Sequence, residues 1–117
     1  MKSLRTAEVR EKYLEYLKTN NGVCLLCEQD SIKDFVHWKL TINKFPYNEI
    51  AETHHLLIPR RHTTERDLTE EELHELREIK EDFVNTAGYD CILENTMRAE
   101  SIPDHFHLHF IVVLDRP

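Results

Sequence analysis

Three histidines alternate near the C-terminal end of the chain, in Asp104-His105-Phe106-His107-Leu108-His109-Phe110-Ile111-Val112-Val113-Leu114. Read as a strand, this run puts Phe106, Leu108, Phe110, Val112 and Leu114 on one face. His105, His107 and His109 fall on the other, with same-face neighbours about 6–7 Å apart. The apolar face predicts a strand packed on a core, in a register that a one-residue slip would ruin by burying the histidines. A row of imidazoles suits two kinds of chemistry. It can hold a catalytic metal with one position open for water. Alternatively, one imidazole can be a nucleophile and another its orienting partner. A neutral imidazole is available near pH 7, so nucleophilic use requires no large pKa shift.

Cys24-Leu25-Leu26-Cys27 is the second chemical signal. It reads as a redox pair, as two separate buried cysteines, or as half of a zinc site completed by two ligands from elsewhere. The redox reading prefers a thioredoxin-like βαβ setting, which does not follow here. Cys91, in Tyr89-Asp90-Cys91-Ile92-Leu93, has no sequence partner and reads as a small core residue.

These residues need elements to position them. Helix formers from Thr6 to Asn20, with Val9, Tyr13 and Tyr16/Leu17 at helical spacing, predict a first helix stopped by Asn20-Asn21-Gly22. Phe35 to Ile42 alternates Val36, Trp38, Leu40 and Ile42 with His37, Lys39 and Thr41, a half-buried strand with His37 solvated. Asn43-Lys44-Phe45-Pro46-Tyr47-Asn48 reads as a loop. Thr53 to Ile58 is a buried strand closed by Pro59, Arg60, Arg61 and His62. Thr69-Glu70-Glu71-Glu72 is a capping box that opens a long helix. Leu73, Leu76, Ile79, Phe83, Val84 and Ala87 form its apolar stripe, and Gly88 its stop. A strand from Tyr89 to Leu93 and a polar loop from Glu94 to Asp104 lead into the histidine strand. The order helix, strand, strand, long helix, strand, strand predicts an α+β domain, an antiparallel sheet with helices on one face.

A chain of 117 residues suits one globular unit, and two glycines with four prolines exclude a linker-rich chain. No internal repeat is present. No run reaches membrane-spanning length, and Met1-Lys2-Ser3-Leu4-Arg5 lacks the apolar core of a signal peptide, so the expected compartment is cytoplasmic. A formal charge of −7 argues against a sequence-independent grip on a nucleic-acid polymer, but leaves room for a small phosphorylated ligand.

His105-Phe106-His107-Leu108-His109-Phe110-Ile111 resembles the H-φ-H-φ-H-φ-φ signature of the histidine triad (HIT) superfamily, where φ is apolar. His54-His55-Leu56-Leu57-Ile58-Pro59-Arg60-Arg61-His62 resembles its second signature, and Asn43-Lys44-Phe45-Pro46 the nucleotide-side loop of some branches. The resemblance runs from about Cys24 to the C-terminus. It implies a HIT-like domain over residues 23–117, preceded by an N-terminal helical extension over residues 1–22. It also implies a homodimeric hydrolase or nucleotidyl transferase acting on a nucleotide or nucleoside-phosphate conjugate. His107 would be the nucleophile at the α-phosphorus, with His109 and His54 lining the phosphate site. Asn43 would meet the ribose, and Asn95 and Ser101 the phosphate or leaving group. The loop before the triad, Arg98-Ala99-Glu100-Ser101-Ile102-Pro103-Asp104, departs from the family's Gly-Gln pattern and sets Ser101 four residues before His105 instead of three. The third histidine is retained where transferase branches related to galactose-1-phosphate uridylyltransferase have glutamine, which favours hydrolysis.

Some bacterial members bind zinc through an N-terminal C-x-x-C, the histidine after the Pro-basic-basic turn and the first triad histidine. Carried over, these ligands are Cys24, Cys27, His62 and His105. Four protein ligands leave no open position, so this zinc would be structural. A zinc hydrolase with the metal on the triad, and a non-catalytic nucleotide-binding module, are the competing expectations.

Overall fold

The computed structural model of the chain describes residues 3–19, 22–99 and 102–115, and for Met97 the backbone alone. Five strands form one antiparallel sheet in the order β1-β2-β3-β5-β4. They are β1 (Lys33–Asp34), β2 (Trp38–Ile42), β3 (Ala51–Pro59), β4 (Cys91–Leu93) and β5 (Leu108–Val113). This is the expected α+β architecture, with two-residue β1 as an addition. The ladder of β5 begins at Leu108, so His105 and His107 stand just ahead of the paired strand and only His109 lies within it.

One face of the sheet packs against the long helix. Trp38, Leu40, Leu57, Leu108 and Phe110 meet Leu76, Ile79 and Val84 in a single buried cluster. The helix runs from Glu70–Glu78 (α2) through a π-helical turn, Ile79–Phe83, into a last turn, Val84–Ala87 (α3), and ends on Gly88 at φ 82°. Trp38 donates its indole N–H to the Glu72 carbonyl at 2.9 Å, which pins the helix to β2. The capping box forms as expected: Glu72 N–H donates to the Thr69 hydroxyl at 3.1 Å, and Thr69 N–H donates to the Glu72 carboxylate at 2.8 Å. That reciprocal bond, and Arg61 at 2.8 Å, turn Glu72 into the protein. The apolar stripe is therefore displaced in its first turn, where Glu72 is buried and Leu73 exposed. Cys91 corrects the core reading: it lies exposed on the edge strand β4, with nothing stacked outside it among the described residues.

The second face is covered too, which the alternation did not anticipate. Leu26 packs there on Leu56 and Ile58, and Tyr47 on Ala51 and Ile111. His105, His107 and His109 are 1%, 9% and 3% exposed, so their face is an interior and not an open surface. Burial of both faces explains the unbroken run Leu56-Leu57-Ile58 in β3.

Helix α1 (Ala7–Lys18) is capped by the Thr6 hydroxyl, which accepts Val9 N–H at 3.4 Å. Its Val9, Tyr13, Tyr16 and Leu17 are half-buried, and none of its residues is fully buried. Asn20 and Asn21 of the expected stop lie outside the described residues; Gly22 has the left-handed φ of 81° that suits a turn. Among the described residues no helix is long and apolar enough to cross a membrane.

Candidate active site and metal centre

The pairing of β3 with β5 brings the two histidine-bearing segments together. Leu56 stands opposite His109 and His54 opposite Ile111, so His54 and His109 are diagonal neighbours on one face. Their rings meet through His54 Nε2 and His109 Nδ1 at 2.7 Å. Tyr47 N–H donates to His54 Nδ1 at 2.9 Å, so that nitrogen carries a lone pair and the proton of a neutral ring sits on Nε2. Nε2–H then donates to His109 Nδ1, which leaves the His109 proton on its own Nε2, 3.4 Å from the Asn95 amide. The Tyr47 ring stacks on His109 with centroids 4.9 Å apart and planes at 26°. Asn95 also donates to the Tyr47 hydroxyl at 2.8 Å.

Burial, with the nearby charges of Arg5, His55 and His107, pushes His54 down to about 3. Burial, with His54, His107 and Arg5, pushes His109 down to about 2. Both rings are neutral hydrogen-bonding groups across the physiological range, and neither adds a charge. His107 differs. Its Nδ1 is 2.9 Å from the His105 carbonyl, which can only accept, so Nδ1 bears the proton. In the neutral tautomer this leaves the lone pair on Nε2, and the ring lines a cleft together with His109, Asn43 and Tyr47. A nucleophile with its tautomer fixed from behind is what attack on an electrophilic centre needs.

Asn43 lines this cleft, its amide 3.4 Å from each nitrogen of His54, against the ring and not in line with one lone pair. Its carbonyl oxygen accepts Phe45 N–H at 2.9 Å and shapes the following loop. Ser101 lies outside the described residues. The cleft encloses about 500 Å³, the open space at its mouth included.

The first triad histidine faces elsewhere. His105 Nδ1 is 3.3 Å from Cys24 Sγ and 3.5 Å from Cys27 Sγ, and His62 Nδ1 is 3.3 Å from Cys27 Sγ. The four ligand atoms lie within 4.8 Å of one another, and the cluster can hold a metal ion. The edges of a tetrahedron with bonds of about 2.0–2.3 Å are about 3.3–3.8 Å, so the three short separations are already those of a liganded site. The outer ring nitrogens agree. His105 Nε2–H donates to the Pro59 carbonyl at 3.1 Å, and His62 Nε2–H to Asp104 at 3.2 Å. Both rings thus turn an Nδ1 lone pair inward, the orientation that a carbonyl or carboxylate behind a metal-binding histidine enforces. Burial, then the hydrogen bond and charge of Cys24, push the Cys27 thiol up to about 11, a cost that a bound cation reverses. The triad is therefore divided between two sites, and its three rings do not converge on one ion.

Sequence reasoning missed four contributors. Tyr47, read as loop, is 7% exposed and holds both His54 and His109. Lys39, placed with His37 and Thr41 on the polar side of a half-buried strand, is 9% exposed and donates to the Cys27 and Gln29 carbonyls at 3.3 and 2.9 Å, tying the cysteine turn to β2. Asp104 orients His62. Arg5 reaches the cleft from ahead of α1. Only Tyr47 had a local signal, an aromatic directly after Pro46 in a segment between strands.

No protein-family model matches the sequence, and no curated protein matches it significantly. Among solved structures the chain is similar to a histidine triad protein from Clostridium difficile, with a TM-score of 0.58 at 16% identity, over 85% of this chain and 96% of that one. It is also similar to a HIT family hydrolase from Clostridium thermocellum, with a TM-score of 0.59 at 17% identity, over 84% and 96%. The chain has the histidine triad fold.

Proposed function

We propose that this protein is a nucleotide-binding hydrolase that cleaves a phosphoanhydride, phosphoramidate or phosphoester bond at the α-phosphate through His107. The observation that carries the reading is the His107 tautomer, held by the His105 carbonyl with Nε2 free toward the cleft. In a chain of formal charge −7, the described residues lining that cleft include Arg5 and Lys44 and no carboxylate, as an anionic ligand requires. The His107 Nε2 lone pair attacks the α-phosphorus, a P–N bond forms, and the bond to the leaving group breaks with its electron pair on that group, which takes up a proton. Water then attacks the same phosphorus, the P–N bond breaks, and a nucleoside monophosphate leaves with His107 regenerated. Neutral His109 donates its Nε2–H toward the phosphoryl oxygens while His54 holds it in that tautomer, with Asn95 and, by the family resemblance, Ser101 serving the phosphate or leaving group and Asn43 the ribose.

The resident ion of the cysteine cluster is, in this reading, zinc held by Cys24, Cys27, His62 and His105. When bound it supplies folding energy and no open coordination position. It fixes His105, whose carbonyl in turn fixes His107. The domain proper comprises residues 23–117, with residues 1–22 as an extension, and functions in the cytoplasm as a homodimer through the β4 edge or the long helix. Light scattering over a dilution series checks the assembly. The catalytic reading is tested with nucleoside phosphoramidates and dinucleoside polyphosphates, with and without chelator. Acid-quenched turnover should show a nucleotidyl group on His107, and turnover without that adduct that depends on a labile metal would replace this reading with metal hydrolysis.

A further inference from the structure

Helix α1 lies outside the stretch that resembles the histidine triad proteins, yet it lines the cleft. Tyr13 and Tyr16 project from one face of α1, and both rings pack on Phe45, with centroids 5.2 and 5.1 Å away at 46° and 49°. Lys44 Nζ sits 5.7 Å over the Tyr16 ring. Arg5 locks the arrangement. Its Nε–H donates to the Phe45 carbonyl at 2.6 Å, and its guanidinium lies 4.3 Å from the Tyr13 ring centre and 4.7 Å from that of Tyr47. Thr6 N–H donates to Asn48 Oδ1 at 2.8 Å, and Glu49 N–H to the Leu4 carbonyl at 3.0 Å, so the start of the helix is stitched to the same loop. Contacts thus run from His109 through Tyr47, Arg5, Tyr13 and Phe45 to Tyr16, and Tyr16 stands at the end farthest along this chain from the triad. Leu25, Leu26 and Ile42 line the same cleft.

We propose that α1 is a specificity element: Tyr13 and Tyr16, with Phe45, form the aromatic wall of a slot whose aliphatic lining is Leu25, Leu26 and Ile42, and the flat heteroaromatic base of a nucleotide enters between them. The proposal rests on the hydrolase reading above and adds to it which segment selects for a base. A slot lined by aromatic rings and aliphatic side chains takes a planar ring. Because α1 has no fully buried residue, truncating Tyr16 removes a wall and leaves the sheet and its core untouched.

The experiment is calorimetric binding of the four nucleoside monophosphates and of ribose 5-phosphate to the full chain, wild type against Tyr16→Ala and Tyr16→Phe, with thermal melts of each. Tyr16→Ala should weaken the best-bound nucleotide by about threefold to tenfold, the range of one aromatic stacking contact. It should leave ribose 5-phosphate within about twofold, and Tyr16→Phe should restore nucleotide binding. Equal losses for both ligands would assign α1 a structural role and overturn the proposal. Unchanged or tighter nucleotide binding would overturn it as well, the tighter case making α1 an obstruction. A wild-type protein that binds neither ligand would instead remove the hydrolase reading on which the proposal stands.

Discussion

His105 and His109 are four residues apart on one extended segment, and both are almost completely buried, yet they belong to opposite environments. His105 faces two thiols and a second imidazole, with a carbonyl behind it, a group of ligand atoms that can hold a metal ion. His109 faces His54, the Tyr47 ring and Asn95, and the adjoining cleft has cationic side chains and no carboxylate among its described lining residues. His107 lies between, its backbone neighbour committed to one end and its free nitrogen to the other. A histidine's role is thus set by the atom presented to each of its two nitrogens, and strand alternation alone does not reveal this. Substitutions that disable one end and spare the other test whether the two environments are independent.

The largest expected effect is at the cleft. His107→Asn should lower turnover by at least about a thousandfold, the scale on which loss of a covalent nucleophile acts. Zinc content and melting temperature should stay near wild type, because His107 contributes no ligand to the metal cluster. Steady-state kinetics and metal analysis on one preparation read both. Activity within tenfold of wild type would end the covalent mechanism, and loss of zinc would mean the two ends are not separate.

Cys24→Ser is the converse break. It should abolish stoichiometric zinc and lower the melting temperature by more than about 10 °C, because the binding energy of a structural ion is folding energy and about 1 kcal/mol moves such a midpoint by several degrees. Calorimetry with and without chelator measures the same quantity on the unaltered chain. A midpoint indifferent to chelation would leave the cluster without a structural ion.

Much of this division was legible and part was not, for physical reasons. The alternation in residues 104–114 and the capping box at Thr69 are local signals, written in neighbouring side chains; the capping box formed, and the strand formed over Leu108–Val113 only. The antiparallel α+β architecture followed from the same patterns. Burial of the histidine face was not legible, because the covering groups are distant in sequence: Cys24 lies 81 residues before His105, and Arg5 meets the loop at Phe45 40 residues on. Leu73 and Cys91 were misjudged because apolar character says nothing about which strand lies at an edge or which way a cap turns its glutamate. The part Lys39 plays was not legible because a buried ammonium is revealed only by the carbonyls that receive it.

Acid titration probes the cleft end. His54 and His109 are held near 3 and 2 in the folded chain and titrate near the ordinary 6.5 when unfolded. Between those limits the unfolded chain binds more protons, so stability rises with pH. It is complete above about pH 6.5 and declines as pH falls from there toward 3, each group contributing a slope of about 1.4 kcal/mol per pH unit. Urea midpoints from pH 7 to pH 4 at saturating zinc isolate this slope from proton competition at the metal. A flat profile there would show that the two rings take up protons in the fold as readily as in the unfolded chain.

The smallest effect probes the metal end from outside. Asp104 accepts the His62 Nε2–H at 3.2 Å, and both side chains are well exposed, so their attraction is screened and little folding energy is at stake. What Asp104 contributes is orientation: it fixes the tautomer that turns His62 Nδ1 toward Cys27. Asp104→Ala should therefore weaken zinc binding by about tenfold, the lower end of the effect of such outer partners, because water can take its place at an exposed ring. The melting temperature at saturating zinc should move by less than a few degrees, and turnover under the same condition should match wild type, since no group at the cleft has changed. Competition against a chromophoric chelator gives the affinity. An unchanged affinity would mean that His62 is oriented by the cysteine turn alone, and a loss of turnover at full zinc occupancy would show that the two ends of the histidine segment communicate.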